Sequence, residues 1–589
     1  MYPQTIPQAL DRTARECADL PALRWKDAGA WQSLSWSGYR RQVRLAARGF
    51  ISLGLEPGKG VAIVGPNCPE WFVAALAAIH AGGLPTGIYA TFAPDQCRYI
   101  AHHCEAQIAM VANAEHLAKF LAIRPDLPHL RAIVQMRGEP AAPGVIGWSD
   151  LLRRGHDTSE PVLEARLAAQ TSGDVATLIY TSGTTGEPKA VMLTHDNVNW
   201  TADVGIAALG LRAGDNILSY LPLSHIAEQL VSLFGPISFG GCTWFAEGME
   251  QLGDDLREVR PDFFLGVPRV WEKIQERMQA AGAQNSPLRK KLIAWARGVG
   301  LRGGYAAQQG KRKPLLYPLA SALVFKKVRQ RLGFDRARVL VTSAAPIARS
   351  TLEFFLSLGL PICEVYGMSE CTGPATISTP EQYRTGKAGR VFPGAELRIA
   401  EDGEICMRGR HVFRGYYKDP EGTAAALDAD HWLHSGDIGD VDAAGFLEIT
   451  DRKKDLIITA GGENVAPQLV EGYLKSIPVV SQAVVVGDRQ RYLGVLLTLD
   501  PARVPTDAEA AGSPARDPAA AAQCEKFRAY LQRNIDAVNA RLARVQAVKR
   551  FEIIPAEFTV EGGELTPSLK VRRKVVAEKY ASEIARLFR

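Results

Sequence analysis

From about residue 60, short apolar runs of β-forming residues alternate with longer stretches whose apolar positions recur at helical spacing. GVAIVG precedes PEWFVAALAAIHAGG, DFFLGV precedes PRVWEKIQERMQ, and RVLVTS precedes a helix near Thr351 to Leu358. This alternation predicts an α/β architecture with largely parallel sheets. Beyond about Asp451 the pattern changes to DLIITA, a hairpin of SQAVVVG and LGVLLTLD, a long helical run from Cys524 to Val545, FEIIP and a last helix. That order predicts a small α+β domain over residues 451–589 behind a large α/β domain over residues 1–450. The Pro/Ala-rich segment 501–522, inside the small domain, reads as a mobile insertion.

Two stretches are free of Asp, Glu, Lys and Arg. Trp71 to Pro94 is long enough to cross a bilayer on charge count alone. His80, Gly82, Gly83 and Pro85 interrupt it, which predicts a buried helix, a turn and a strand instead. The second, between Glu228 and Glu247, is broken by Gly235-Pro236 and Gly240-Gly241. No transmembrane span is predicted.

The 589 residues exceed one typical domain, and 47% hydrophobic with 22% charged residues is an ordinary globular composition. The first twenty residues lack a basic start followed by an apolar run, so no signal peptide is expected. Nine scattered Cys without a CxxC pair indicate reduced thiols in a cytoplasmic protein. In His102-His103-Cys104 adjacent side chains point apart, which speaks against a metal. Charge is unevenly spread: Arg289 to Arg338 holds 14 Lys and Arg against Asp335 alone, +13 in a chain whose net charge is +6. Apolar residues interleave with this charge. Residues 286–336 therefore read either as basic amphipathic helices on an anionic membrane surface or as a solvated helical excursion. No nucleic-acid-reading module accompanies the charge, so nucleic acid is not an expected partner.

The chemistry begins at YTSGTTGEPK, Tyr180 to Lys189. β-Formers flank it on both sides and Pro188 disfavours a helix start, so the loop joins two strands and is not a Walker P-loop. Hydroxyls and backbone N–H groups of such a loop can wrap a polyphosphate, with Lys189 as a point charge; a plain surface turn is the alternative. Downstream, RVLVTSAAP ends in small residues suited to a flat base. ICEVYGMSE offers the Tyr366 ring, close approach at Gly367 and a hard carboxylate at Glu370 for Mg²⁺. In WLHSGD, Asp437 follows a Gly turn and suits vicinal ribose hydroxyls. DRKKD carries charge into the second domain, and LTPSLK ends at Lys570.

Taken in order, YTSGTTGEPK, YGMSE, SGD, DRKKD and LTPSLK resemble the adenylate-forming superfamily over nearly the whole chain. LPLSHIAEQ, VPRVWEKI, DHWLHSGDIGD and DRKKDLIITAGGENVAP are similar to long-chain fatty acyl-CoA synthetases, and YGMSECTGP with TAGGENVAP to their bubblegum-type branch. The resemblance implies a large N-terminal domain, a small mobile C-terminal domain, and ATP, CoA and a fatty acid as substrates with Mg²⁺ as cofactor. It implies that Thr181, Ser182, Gly183, Thr184, Thr185, Gly186 and Lys189 hold phosphates, with Thr181 and Glu370 near Mg²⁺. Ala344, Ala345, Glu364, Val365 and Tyr366 would surround adenine, with Gly367 and Ser369 beside them; Asp437 and Arg452 would hold the ribose. Lys570 would bridge the fatty carboxylate and the α-phosphate. Lys454 would be the hinge that swings Lys570 out and brings in Gly461 and Gly462 for the CoA step. His225 would border the acyl site, by packing or directly.

Two departures weaken the carry-over: Ile458 stands where many members have Lys, and Asn464 where some have an aromatic residue. A fatty acyl-AMP ligase that loads a carrier protein, or a non-catalytic lipid-binding relative, would share these motifs. The expected location is cytoplasmic, at most peripheral on the inner face of a membrane.

Overall fold

The computed structural model describes residues 4–181, 187–460, 463–566 and 570–589. Among these, the chain's first three quarters build two large sheets. The eight-stranded sheet runs in spatial order Gly415–Tyr416, Lys189–Thr194, Val175–Thr181, Leu84–Ile88, Gly60–Val64, Ala106–Val111, Ala132–Gln135, Ile146–Gly147. Gly60–Val64 and Leu84–Ile88 are parallel and buried throughout. Burial on both faces is why such strands read as unbroken apolar runs. The helix between them, Pro69–His80, is buried over almost its whole surface, which accounts for the charge-free stretch.

The nine-stranded sheet runs Arg390–Val391, Gly373–Ile377, Cys363–Met368, Val339–Thr342, Phe263–Gly266, Asn216–Ser219, Cys242–Phe245, Pro21–Asp27, Ala30–Ser35. Its inner strands are parallel, and the N-terminal strand Pro21–Asp27 lies parallel to Cys242–Phe245 with Leu23 opposite Thr243. Because parallel strands share direction, Val267 and Ser343 emerge at one end of this sheet while Ile217 and Phe263 lie at the other. A four-stranded antiparallel sheet, Glu396–Ile399 to Leu447–Arg452, follows.

From Ile457 a separate apolar core forms around the strands Val480–Val486, Leu493–Leu499 and Val548–Ile554. The Pro/Ala-rich segment is part of this core. It folds into the helices Val504–Ala511 and Pro518–Gln523, whose Val504, Ala508 and Ala521 are fully buried. Small apolar residues packed between capped short helices look, in sequence, like a linker. The expected run from Cys524 to Val545 is shorter, ending as the helix Glu525–Asn539 before a separate turn at Arg544–Gln546.

The basic excursion is a helical hairpin. Helix Pro287–Gln308 packs against Tyr317–Ala320, a π-helical turn Ser321–Phe325 and Lys326–Leu332, around Ala296, Val299, Ala320, Val324 and Phe325. Among the described residues no helix is long and apolar enough to cross a membrane.

Candidate active site

Stations separated by nearly 400 residues converge on one cavity of about 1650 Å³, whose wall includes Thr181, Lys189, Ala344, Ala345, Val365, Gly367, Ser369, Glu370, Arg452, Lys454 and Lys570. The antiparallel strands Val175–Thr181 and Lys189–Thr194 bring Thr181 opposite Lys189 at the mouth of the glycine-rich loop. Ser182, Gly183, Thr184, Thr185, Gly186, Gly461 and Gly462 lie outside the described residues.

Lys189 is fixed by two groups that sequence reasoning missed. Its ammonium pairs with Asp419 at 2.9 Å and lies 4.7 Å from the centre of the Tyr416 ring. The Tyr416 hydroxyl in turn donates to Glu370 Oε1 at 2.8 Å. Asp419 also caps the helix Pro420–Ala426. In sequence, Tyr-Tyr-Lys-Asp-Pro reads as a turn before a helix, and only the pairing of Gly415–Tyr416 with Lys189–Thr194 brings it to the loop. Glu370 Oε2 has no partner among the described residues, so a hard oxygen donor faces the cavity, whose wall also includes Thr181. That donor set fits Mg²⁺.

The small-residue strand end is strained where a flat ring would lie. Ala344 has φ 76°, a left-handed conformation costly for any residue with a Cβ. At Gly367 a Cβ would stand 1.6 Å from the Gly373 carbonyl oxygen, so no other residue fits. Glu364 turns from the cavity to accept the Gly386 N–H at 2.7 Å, and burial pushes its carboxyl up to about 8.

Tyr366 and Asp437 stand behind the cavity wall. The Tyr366 hydroxyl donates to Asp437 Oδ2 at 2.8 Å, and Arg452 Nε lies 3.1 Å from Oδ1, across the pairing of Leu433–Val441 with Leu447–Arg452. Glu404 secures the same turn: it accepts the Gly436 N–H at 2.8 Å and pairs with Lys453 at 3.1 Å, beside Lys454.

Lys570 reaches this centre from the far end of the chain. Its N–H donates to Thr566 Oγ1. Its ammonium is lowered to about 8, first by burial and then by the charge of Arg452, with Asp437 and Glu370 acting the other way. His225 feels the same ammonium: burial and Lys570 hold its imidazole down at about 4. The His225 Nδ1 accepts the Ala227 N–H at 3.1 Å, so the neutral ring carries its proton on Nε2.

Beyond His225 the cavity becomes apolar. One wall is the helix His195–Leu209, the second the sheet residues Ile217, Phe263, Leu265 and Val341, and the third Leu230 and Val231 of the π-helix Gln229–Phe234. The π-helix is anchored by Glu228, 2% exposed, which accepts from Ser219 Oγ at 2.6 Å and Asn67 Nδ2 at 3.4 Å. Burial raises that carboxyl to about 7. Sequence reasoning passed over Glu228 because one acid within an apolar motif carries no periodicity.

Of the His102-His103-Cys104 triplet, His103 Nδ1 lies 2.7 Å from the Tyr180 hydroxyl and Cys104 is buried, while His102 is exposed.

Residues 10–417 match the family described as AMP-binding enzyme, and residues 454–589 match the AMP-binding enzyme C-terminal domain. The long-chain-fatty-acid–CoA ligase ACSBG2 of Xenopus laevis is 42% identical over 619 residues, covering 99% of this chain and 83% of that protein. The long-chain-fatty-acid–CoA ligase ACSBG1 of Bos taurus is 39% identical, covering 99% and 85%. Among solved structures, the anthranilate CoA ligase AuaEII in complex with anthranoyl-AMP superposes with a TM-score of 0.75 at 19% identity, covering 99% of this chain and 98% of that one. That likeness establishes the adenylate-forming fold.

Proposed function

The chain belongs to the AMP-binding enzyme family, and on that premise we propose that it is a long-chain fatty acid–CoA ligase that forms AMP. The observation that carries this reading is a single cavity in which an apolar arm ends at Lys570 and His225, facing the phosphate-loop lysine and the Glu370 carboxylate.

In the first half-reaction a fatty carboxylate oxygen attacks the α-phosphorus of ATP, the bond from that phosphorus to the bridging oxygen of the β-phosphate breaks, and pyrophosphate leaves with the electron pair. Charge on the α-phosphate and its leaving group must be offset as the bonds change. Lys570 serves this at the carboxylate end and Lys189, with the loop 181–186, at the pyrophosphate end. Bound Mg²⁺, held by Glu370 and Thr181, would neutralise phosphate charge. Ala344, Ala345 and Val365 line the adenine site, backed by Tyr366, and Arg452, held by Asp437 from behind the wall, faces the ribose hydroxyls.

In the second half-reaction the thiol sulfur of CoA, having lost its proton, attacks the acyl carbon. The carbon–oxygen bond to phosphate breaks and AMP leaves. Lys570 occupies the side from which CoA must come, so residues 451–589 turn about Lys454, withdrawing Lys570 and presenting Gly461 and Gly462. AMP release from ATP and Mg²⁺, across acids of increasing length with and without CoA, tests this reading. AMP in proportion to a CoA thioester, greatest for long chains, is the expected result. A bound adenylate that CoA does not discharge would transfer the assignment to a carrier-protein ligase, and no adenylate with any acid would leave a lipid-binding relative.

A peripheral membrane contact is a second reading, supported by exposed apolar residues on the basic hairpin. Leu315, in the turn before Tyr317–Ala320, Leu319 on that helix and Leu323 in the π-helical turn are 98%, 50% and 41% exposed, and Leu288 is 82% exposed. Lys311, Arg312 and Lys313 precede Leu315, and Lys326 and Lys327 follow Leu323. Leucines flanked by cations suit an anionic bilayer, which supports a peripheral contact at the cytoplasmic face of a membrane. Replacing Leu315, Leu319 and Leu323 by Glu should abolish flotation with anionic vesicles while AMP formation on soluble octanoate persists; unchanged flotation would remove this reading.

A further inference from the structure

The apolar arm has a measurable length and one unexplained gap. Its helical wall from Thr201 to Leu209 spans about 12 Å at 1.5 Å per residue. Its sheet wall from Val267 to Phe263 spans about 13 Å at ~3.3 Å per residue. An extended hydrocarbon of ~1.5 Å carbon–carbon bonds advances about 1.25 Å per bond, so the arm takes on the order of ten methylenes before it reaches Leu209 and Leu211. Both leucines are only partly buried.

Gly205 stands midway along the helical wall, one turn from Thr201 and one from Leu209, and all three line the cavity. Glycine is among the poorest helix formers, and nothing local requires it here. Gly205 has no left-handed φ. A Cβ added to it would meet only the ring of Phe392, at ordinary contact distances of 3.8 and 4.0 Å. Gly235 on the neighbouring wall is different, because its Cβ would stand 2.7 Å from the Leu230 carbonyl oxygen.

Resting on the acyl-ligase reading, we infer that Gly205 sets the bore of the acyl channel and Leu211 borders its far mouth, past which longer chains extend, so that these two positions determine which fatty-acid chain lengths are accepted. A branched side chain at 205 occupies the space that the mid-chain methylenes of a long acid need, while a short acid ends before reaching it. A methyl at 205 fits without closing the channel.

The test is kcat/KM for AMP formation on hexanoate, octanoate, laurate and palmitate with the unaltered protein, Gly205→Ala, Gly205→Leu and Leu211→Trp. Gly205→Leu should lose palmitate by about 10²-fold or more while hexanoate changes little, since a blocked hydrophobic pocket discriminates on that scale. Gly205→Ala should keep the original profile, and Leu211→Trp should disfavour palmitate and leave laurate and octanoate intact. A folded Gly205→Leu protein whose losses are equal at every length would overturn the role of Gly205. If that variant does not fold, an unshifted profile for Leu211→Trp overturns the channel assignment. Failure of the unaltered protein on every acid would instead sink the ligase reading itself.

Discussion

A buried lysine is costly to protonate, the more so near an arginine, and burial with the charge of Arg452 holds Lys570 at about 8. Asp437 and Glu370 offset part of that cost, and anionic substrates bound beside Lys570 would offset more, which ties its charge to substrate binding. Lys570→Ala should therefore slow adenylate formation by on the order of 10²–10³-fold, while thioester formation from supplied acyl-adenylate stays within a few-fold. Pyrophosphate exchange and single-turnover thioester assays separate the two. Glu228 gives a second residue-scale expectation. Its carboxyl has a folded value of about 7 against an ordinary 4.5, so the folded protein holds this proton more tightly than the unfolded chain. Stability from this group is complete below about 4.5, falls as pH rises to about 7 and is level above that. Glu228→Gln should remove that decline, visible as a Tm difference from the parent that grows in the variant's favour across the same interval. Of the site's side chains, those in polar motifs were legible from sequence. Tyr416, Asp419 and Glu228 were not, because each takes its meaning from a partner brought in by strand pairing or by a turn of π-helix.

At the scale of elements, the alternation of apolar runs with helical periodicity was enough to read the α/β sheets, since doubly buried strands leave little room for polar residues. The acyl arm was not readable. Ile217, Phe263, Leu265 and Val341 belong to three separate strands, and each looks like ordinary core until the sheet aligns them. The segment 501–522 was misread for the opposite reason: alanine-rich helices with Asp517 as a cap have the composition of a linker but the burial of a core. The π-helix Gln229–Phe234 is the least regular of the arm's three walls, and it ends at Gly235, whose φ of −56° any residue could adopt. Only the nearby Leu230 carbonyl demands glycine there. Gly235→Ala should cost about 1–3 kcal/mol through overpacking, measured by denaturant unfolding.

For the molecule as a whole, one cavity is walled by residues from Tyr89 to Glu578, so a turn of the small domain would carry Lys570 out of it. If Lys454 is the pivot, fixing its φ with proline should leave pyrophosphate exchange within a few-fold of the parent and reduce thioester formation by on the order of 10²-fold or more. Loss of both half-reactions together would argue against a pivot there. The same interleaving marks the nine-stranded sheet, in which Pro21–Asp27 lies between its neighbour in sequence and Cys242–Phe245, more than two hundred residues later. During synthesis at ~5–20 residues per second, that strand leaves the ribosome roughly 10–45 seconds before the edge it must join. The N-terminal hairpin waits through this interval with an open, hydrogen-bonding flank. Nascent chains of this protein are therefore candidates for chaperone capture until about residue 245 has emerged.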